Sequence, residues 1–380
     1  MKFEGFFPPH PLQPTQYGIL SVARLSELVE KETAKDTEER WVRGYSHIFE
    51  TNPTIRLLRG SGAVAHEIND ATGAPRYIDV KPFFIEVEDY ATTMSMGGED
   101  RKAKIVRQLE AGTQKSVEHE FYHGYSTRAD NSGNQYLTKA DTLTIVNNAT
   151  LYQMQEGLGF LEYAIAQSPL GEQGVIHMTR DMAALLGSQW ILERPDEKGI
   201  PHLETTNGTP VCVGSGYDGS GPKAPVFTIT ISGAGLATVT TTSPHGLAIG
   251  DKVSFSEVAS PTNPLSPLKN FNTLTNLVVS GTPDTTTFTI SGIDAEVIPA
   301  TSETRVGGYA FFAADQDHKW MYATGLVDVN LGSIEVVNTE RGHGYNVSGN
   351  QNDIMLKAIR PAAVHHEPSV HYGVKVQVHQ

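Results

Sequence analysis

The residues of this chain with the plainest chemical potential are His119, Glu120 and His123, in the stretch VEHEFYHGY (117–125). They spell H-E-x-x-H. On a helix, that spacing sets two imidazoles one turn apart on one face, with a carboxylate between them that can act as general base toward a metal-bound water. A catalytic zinc also needs a third protein ligand and an open coordination position. One class of zinc protease continues with a Gly and then a third His, and this chain has Ser126 and Ala129 there. Another class takes a Glu from a following helix, for which Glu156 and Glu162 are the nearest candidates, beyond a loop-and-strand region. The competing reading is the polar end of a long helix, where histidine suits the negative pole of the dipole.

Three further constellations carry less. GSGYDG (214–219) matches G-x-G-x-x-G after a strand, but a β pattern follows it instead of a helix. Without a helix N-terminus nothing there would hold a pyrophosphate, and the stretch reads as a flexible joint. VHHEPSVH places His365, His366 and His371 beside Glu367. Adjacent residues on a strand point to opposite faces, so this spacing serves one metal poorly and reads as a surface tail. Cys212 lies in an apolar strand, where a free thiol is usually buried and inert. There is no G-x-S-x-G elbow, P-loop or basic aromatic patch. The reading therefore assigns no catalytic, cofactor-binding or metal-binding residue, expects no cofactor, and expects a protein that is not an enzyme.

Composition bounds the class of protein. The chain has 380 residues, 39% hydrophobic and 19% charged, with 36 Gly and 21 Pro. That richness in turn formers favours strands over a helical bundle. A formal net charge of −14 argues against gripping nucleic acid or anionic membrane. A single cysteine permits no internal disulfide and suits a reducing compartment. The opening MKFEGFFPPHPLQ has no apolar core of signal-peptide length. No run approaches a membrane span, so a soluble protein is expected.

The elements that would position these residues follow from hydrophobic period. Residues 1–18, rich in Pro and aromatics, read as an extended arm needing a partner surface to become ordered. From Ser21 to Trp41, Leu25, Leu28 and Val29 recur at helical spacing among mixed charges. Residues 42–96 alternate short β-like runs with turns, predicting a long two-stranded excursion with NDATGAP at its tip. The clearest helix is GEDRKAKIVRQLEAGTQKSVEHEFYHG: Ile105, Leu109, Val117 and Phe121 share one face, acids open it and Gly124 stops it. At roughly 25 residues it would be about 38 Å long. Residues 140–222 predict mixed α/β structure, with helices over LYQMQEGLGFLEYAIAQS and RDMAALLGSQ and strands at GVIHMT and TPVCV. From 223 to 308 the chain turns to Thr, Ser, Val and Gly; Phe227, Ile229 and Ile231 alternate, as do Val253 with Phe255 and Phe288 with Ile290. These about 85 residues suffice for one all-β module inserted in a host fold. KWMYATGLVDVNLGSIEVVN and DIMLKAIRPAAV then return to strand patterns.

This order of parts resembles the HK97-type major capsid protein of tailed bacteriophages. VKPFFIEVEDYATTMSMGGEDRKAKIVRQLEAGTQKSVEHEFYHG is similar to the strand leaving the E-loop and the spine helix of capsid proteins from phages of actinobacteria. GVIHMTRDMAALL, TTNGTPVCVGSGYDGSGP and KWMYATGLVDVNLGSIEV resemble A-domain segments and the return strand. The resemblance covers roughly residues 40–222 and 315–380. It implies an α+β, HK97-like capsid fold divided into an N-terminal arm (1–40), E-loop with flanking P-domain strands (41–96), spine helix and P-domain (97–145), A-domain (146–222), inserted β-rich domain (223–308), and A- and P-domain return strands with the C-terminus (309–380). In function it implies homo-oligomers, hexamers and pentamers closing an icosahedral shell around double-stranded DNA without sequence-specific binding. It also implies a portal and separate scaffold or decoration proteins as partners, no membrane, and a place in the virion after assembly in the host cytoplasm. Three alternatives stand beside it: an encapsulin-like nanocompartment shell, a zinc metalloprotease built on HEFYH, and a β-rich adhesin or carbohydrate-binding protein.

Overall fold

In a computed structural model of the chain, the described residues are 17–26, 45–49, 56–58, 64–67, 76–92, 98–130, 134–146, 151–167, 174–195, 201–231, 236–258, 272, 274, 277–291, 307–340 and 353–379. The organising element is the long helix Gly98–His123, of 26 residues, about 39 Å at 1.5 Å per residue. Ile105, Leu109, Val117 and Phe121 are all fully buried, each worth roughly 1.5–3 kcal/mol of transfer free energy. The helix lies against the 14-residue strand Asp353–His366 and against Phe83–Thr92. Gly124 ends it with φ +60°, and a Cβ there would meet the Tyr136 ring at 2.5 Å.

Under the helix, Asp353–His366 is flanked on one edge by Phe83–Thr92 and on the other by Val327–Leu331 and Glu335–Glu340 laid end to end, all antiparallel. Arg24–Ser26 adds a parallel strand outside Val327–Leu331. The expected helix beginning at Ser21 is thus replaced by a short turn of helix, Ile19–Val22, and this strand. Pairing with an open sheet edge overrides a weak helical period; Leu28, Val29 and the rest of that segment lie outside the described residues.

The second sheet has eight strands. Its order is Ile191–Pro195, Pro201–Thr205, Pro210–Cys212, Gly174–His177, His318–Gly325 and His371–Gln377. Thr144–Ile145 and Tyr152–Gln153 both pair with the last. Helix Met154–Ala166 covers one face, burying Leu158, Leu161 and Ile165. A strand of one sheet leads directly into a strand of the other at His318–Gly325 into Val327–Leu331 and at Asp353–His366 into His371–Gln377, and the long helix lies on the path from Phe83–Thr92 to Thr144–Ile145.

Between these parts the Thr-rich segment closes a six-stranded barrel: Ala224–Ile231, Ala237–Thr241, Thr287–Ser291, Leu277–Gly281, Lys252–Ser256 and Tyr309–Phe312. Its last strand lies beyond residue 308, the boundary suggested by composition. Val253, Phe255, Phe288 and Ile290 point inward, whereas Phe227 is 56% exposed. A bulge between Val226 and Thr228 shifts the alternation by one residue, so Val226 goes in and Phe227 out.

The excursion is also present. Tyr45–Phe49 pairs with Arg76–Val80, and Arg56–Leu58 with Val64–Glu67. NDATGAP, the expected tip, lies outside the described residues. Residues 1–16 of the arm are likewise outside them, while 17–26 pack on their own chain.

Candidate functional site

The last turn of the long helix meets four segments: 17–22, the short helix Tyr125–Asp130, the glycine-rich loop 214–219, and the start of the barrel. Two of its polar side chains are tied into these segments. Glu120, buried, accepts hydrogen bonds from the N–H groups of Ser126 (2.6 Å) and Thr127 (2.8 Å) and from Thr127 Oγ1 (2.7 Å). It therefore satisfies the free donors at the start of the next helix. His123 bonds through Nε2 to the Gly216 carbonyl at 3.0 Å. Burial and then the nearby Lys223 cation push its pKa down to about 4. Burial, with Lys115, also lowers that of His119.

The two imidazoles stand 5.9 Å apart between ring centroids, but among the described residues no third ligand joins them. Glu162 accepts from Thr205 Oγ1 and from Thr209 Oγ1 (2.7 Å), and Glu156 closes the capping box of its own helix with Gln153. Among the described residues no group of three or more His, Cys, Asp or Glu is arranged to hold a metal ion. With Glu120 tied up as a cap, H-E-x-x-H here is a helix terminus.

The residue that organises the junction is Glu118, which belongs to no chemical motif. It is fully buried. One oxygen accepts from Ile19 N–H (3.1 Å) and Gln114 Nε2 (3.0 Å); the other accepts from Ser215 N–H (2.7 Å), Ser215 Oγ (3.0 Å) and Gly216 N–H (3.2 Å). The glycine-rich loop does cradle an anion through successive backbone N–H groups, and that anion is the chain's own carboxylate. This corrects the reading of 214–219 as a flexible joint. Gly214 and Gly216 are buried, and a Cβ on Gly214 would come within 2.6 Å of the Tyr122 hydroxyl. A shallow cleft beside the loop is lined by Thr179, Arg180, Asp218 and the ion pair Lys319–Asp181.

The C-terminal histidines are not a surface tail. His365, His366, Glu367 and His371 are all buried, because the strands that carry them are central to the two sheets. His366 and His371 meet edge to face at 4.8 Å between ring centroids, and Phe121 lies 5.2 Å from His177 and 6.0 Å from His366. His371 bonds to the Leu137 carbonyl (2.8 Å) and to Thr142 Oγ1 (3.1 Å), and His177 to Thr324 Oγ1 (2.8 Å). Burial holds His366 down to about 4 and His371 to about 3. These are neutral core imidazoles packed around the helix face. His365 points the other way, 3.6 Å from Asp328. Cys212 is buried as expected, 3.1 Å from the Tyr122 hydroxyl, and burial pushes its thiol up to about 12.

No protein-family model and no curated protein matches this sequence. Among solved structures, the chain is similar to the capsid of an empty GTA particle, with a TM-score of 0.43 and 8% identity over 97% of this chain and 91% of that one. It is also similar to the SrpI encapsulin of Synechococcus elongatus, with a TM-score of 0.38 and 8% identity over 92% and 91%. A third likeness is to a structure of Mycobacterium phage Ogopogo, with a TM-score of 0.33 and 12% identity over 88% and 86%. All three are distant likenesses.

Proposed function

We propose that this chain is a shell-forming subunit, a bacteriophage major capsid protein of the HK97 type, whose work is geometry and not catalysis. The observation that carries the reading is the two-stranded excursion. Its strands pair with each other, and among the described residues with no other strand. A lone two-stranded ribbon is marginal in water and leaves both edges open; contact with a neighbouring copy covers it. The second sheet offers a matching need: Phe160, Tyr163, Leu185 and Trp190 stand exposed on or beside its helices, an apolar surface of the kind subunit contacts bury.

On this reading copies associate as hexamers and pentamers through the second sheet, with excursions and N-terminal arms reaching over neighbours. The long helix and its sheet form the peripheral frame. The net charge of −14 lets a shell enclose double-stranded DNA without holding it. The portal and any scaffold or decoration protein are separate chains, assembly takes place in the host cytoplasm, and the mature location is the virion. The test is a chain in which residues 50–75 are replaced by a short Gly-Ser linker. The reading expects folded, soluble subunits that form no closed particles; particles assembling as readily as wild type would overturn it.

A further inference from the structure

Two basic side chains meet where the barrel joins the rest of the chain. Arg128 donates from Nε to the carbonyls of His123 (3.0 Å) and Gly124 (3.3 Å) at the end of the long helix. From Nη1 it donates to Glu257 of the barrel at 2.6 Å. Its guanidinium carbon lies 5.3 Å from the Tyr125 ring centre and 5.0 Å from that of Tyr309 on the barrel. Lys223, the residue before the first barrel strand, is anchored by its N–H to the Thr138 carbonyl at 2.7 Å. Its Nζ lies 5.2 Å from the same Tyr125 ring and 5.6 Å from Phe311 of the barrel. One tyrosine ring thus lies against two basic side chains, and Lys223 is only 5% exposed.

The groups around Lys223 come from every side. The long helix brings Glu120 and His123, the next helix brings Tyr125 and Arg128, and segment 134–141 brings Lys139, which bridges to it through the backbone. The loop adds Asp218, and the barrel adds Glu257 and Phe311. Glu120 is committed to its cap and Glu257 to Arg128; Asp218 gives the largest attraction toward a charged Lys223, but it is exposed, and burial and Arg128 outweigh it. Burial first, and Arg128 next, push the Lys223 pKa down to about 7.

We propose that Lys223 and Arg128 form a proton-operated latch between barrel and host: with Lys223 neutral, Arg128 alone clamps Glu257, Tyr309 and Tyr125, and a proton on Lys223 sets two cations against each other and loosens the barrel's seat. The sign follows from linkage. An opened seat exposes Lys223 to water, where it binds a proton up to about pH 10.4, whereas the closed seat gives the proton up near 7. The open form therefore holds more protons between these values, and the closed form gains as pH rises through that window. From pH 8 down to pH 6 the opening constant rises about tenfold; His123 adds its own charge only near pH 4. The inference concerns a single chain and is independent of the shell reading.

The test is hydrogen exchange read by mass spectrometry at the seam, 125–128 and 309–312, corrected for intrinsic rates at pH 6 and pH 8. Wild type is expected to open about tenfold more often at pH 6. Lys223→Met should hold the pH 8 protection at both values, and Lys223→Arg the looser state at both. Equal wild-type protection at the two pH values, or an undiminished difference in Lys223→Met, overturns the latch. Should Lys223→Met not fold, competitive reductive methylation of wild type titrates the amine directly. A reactivity midpoint near 7 supports the latch, and a midpoint above about 9 overturns it.

Discussion

Removing the Glu118 carboxylate should release two segments of backbone at once. In Glu118→Ala the backbone N–H groups of Ile19 and Gly216 lose their acceptor while buried; Ser215 is exposed and can turn to water, and the Gln114 amide, which also loses this acceptor, keeps another contact. A buried donor left unsatisfied costs about 1–3 kcal/mol. Two such donors give about 4 kcal/mol, or roughly a thousandfold in a local opening constant. Glu118→Gln keeps one acceptor oxygen but aims an NH₂ at the other donors, and a cost of about 2 kcal/mol, roughly thirtyfold, is expected. Hydrogen exchange by mass spectrometry over 17–22 and 213–219 reads both. The two segments should lose protection together and in the order Ala, then Gln, then wild type, while the barrel strands stay protected. Unchanged exchange in either segment of Glu118→Ala would refute the claim that this carboxylate ties them to the helix.

Gly18→Ala should mimic that loss at 17–22 alone, because its Cβ would fall 1.6 Å from Gln114 Nε2 and 2.2 Å from Glu118 Oε1; exchange that matches wild type at 17–22 counts against it. The buried imidazoles make stability acid-sensitive. His366 and His371 stay neutral down to about 4 and about 3, while the unfolded chain takes up protons near pH 6.5. Their contribution is full above that value and falls as pH drops toward 4, by about 1.4 kcal/mol per pH unit for each histidine. Urea midpoints for wild type and His366→Leu between pH 7 and pH 4.5 should differ in slope by about one proton, and parallel curves would contradict the assignment. Zinc titration of the purified chain should show no stoichiometric site abolished by His119→Ala, since Glu120 is held as a cap and among the described residues no third ligand converges; a site that the substitution abolishes would contradict this.

The frame of the fold was legible wherever a period ran long. Ile105, Leu109, Val117 and Phe121 marked the helix face because four buried residues on one stripe leave little other choice, and the paired alternations of the Thr-rich stretch marked strands. What escaped was decided by tertiary partners. Leu25 belongs to a helical pattern but pairs with Val329, since an open sheet edge offered more than a short helix. A single bulge turned Phe227 outward, and bulges leave no mark in an alternation of apolar residues. Three histidines near the chain's end looked solvated because position suggested a tail, yet their strands fill the centres of two sheets. At the junction, H-E-x-x-H drew attention to His119, Glu120 and His123 by spacing alone, while Glu118 beside them holds the anion that the glycine-rich loop was built to receive. The signal was the coincidence of an anion-cradling loop with no ligand motif elsewhere: its anion had to be internal.

Electron microscopy of the purified chain in negative stain, after sizing on a column, tests the central claim most directly. Closed icosahedral particles, or rings of six and five copies, are the predicted result. A monomer or dimer that persists across salt, pH and concentration would contradict it.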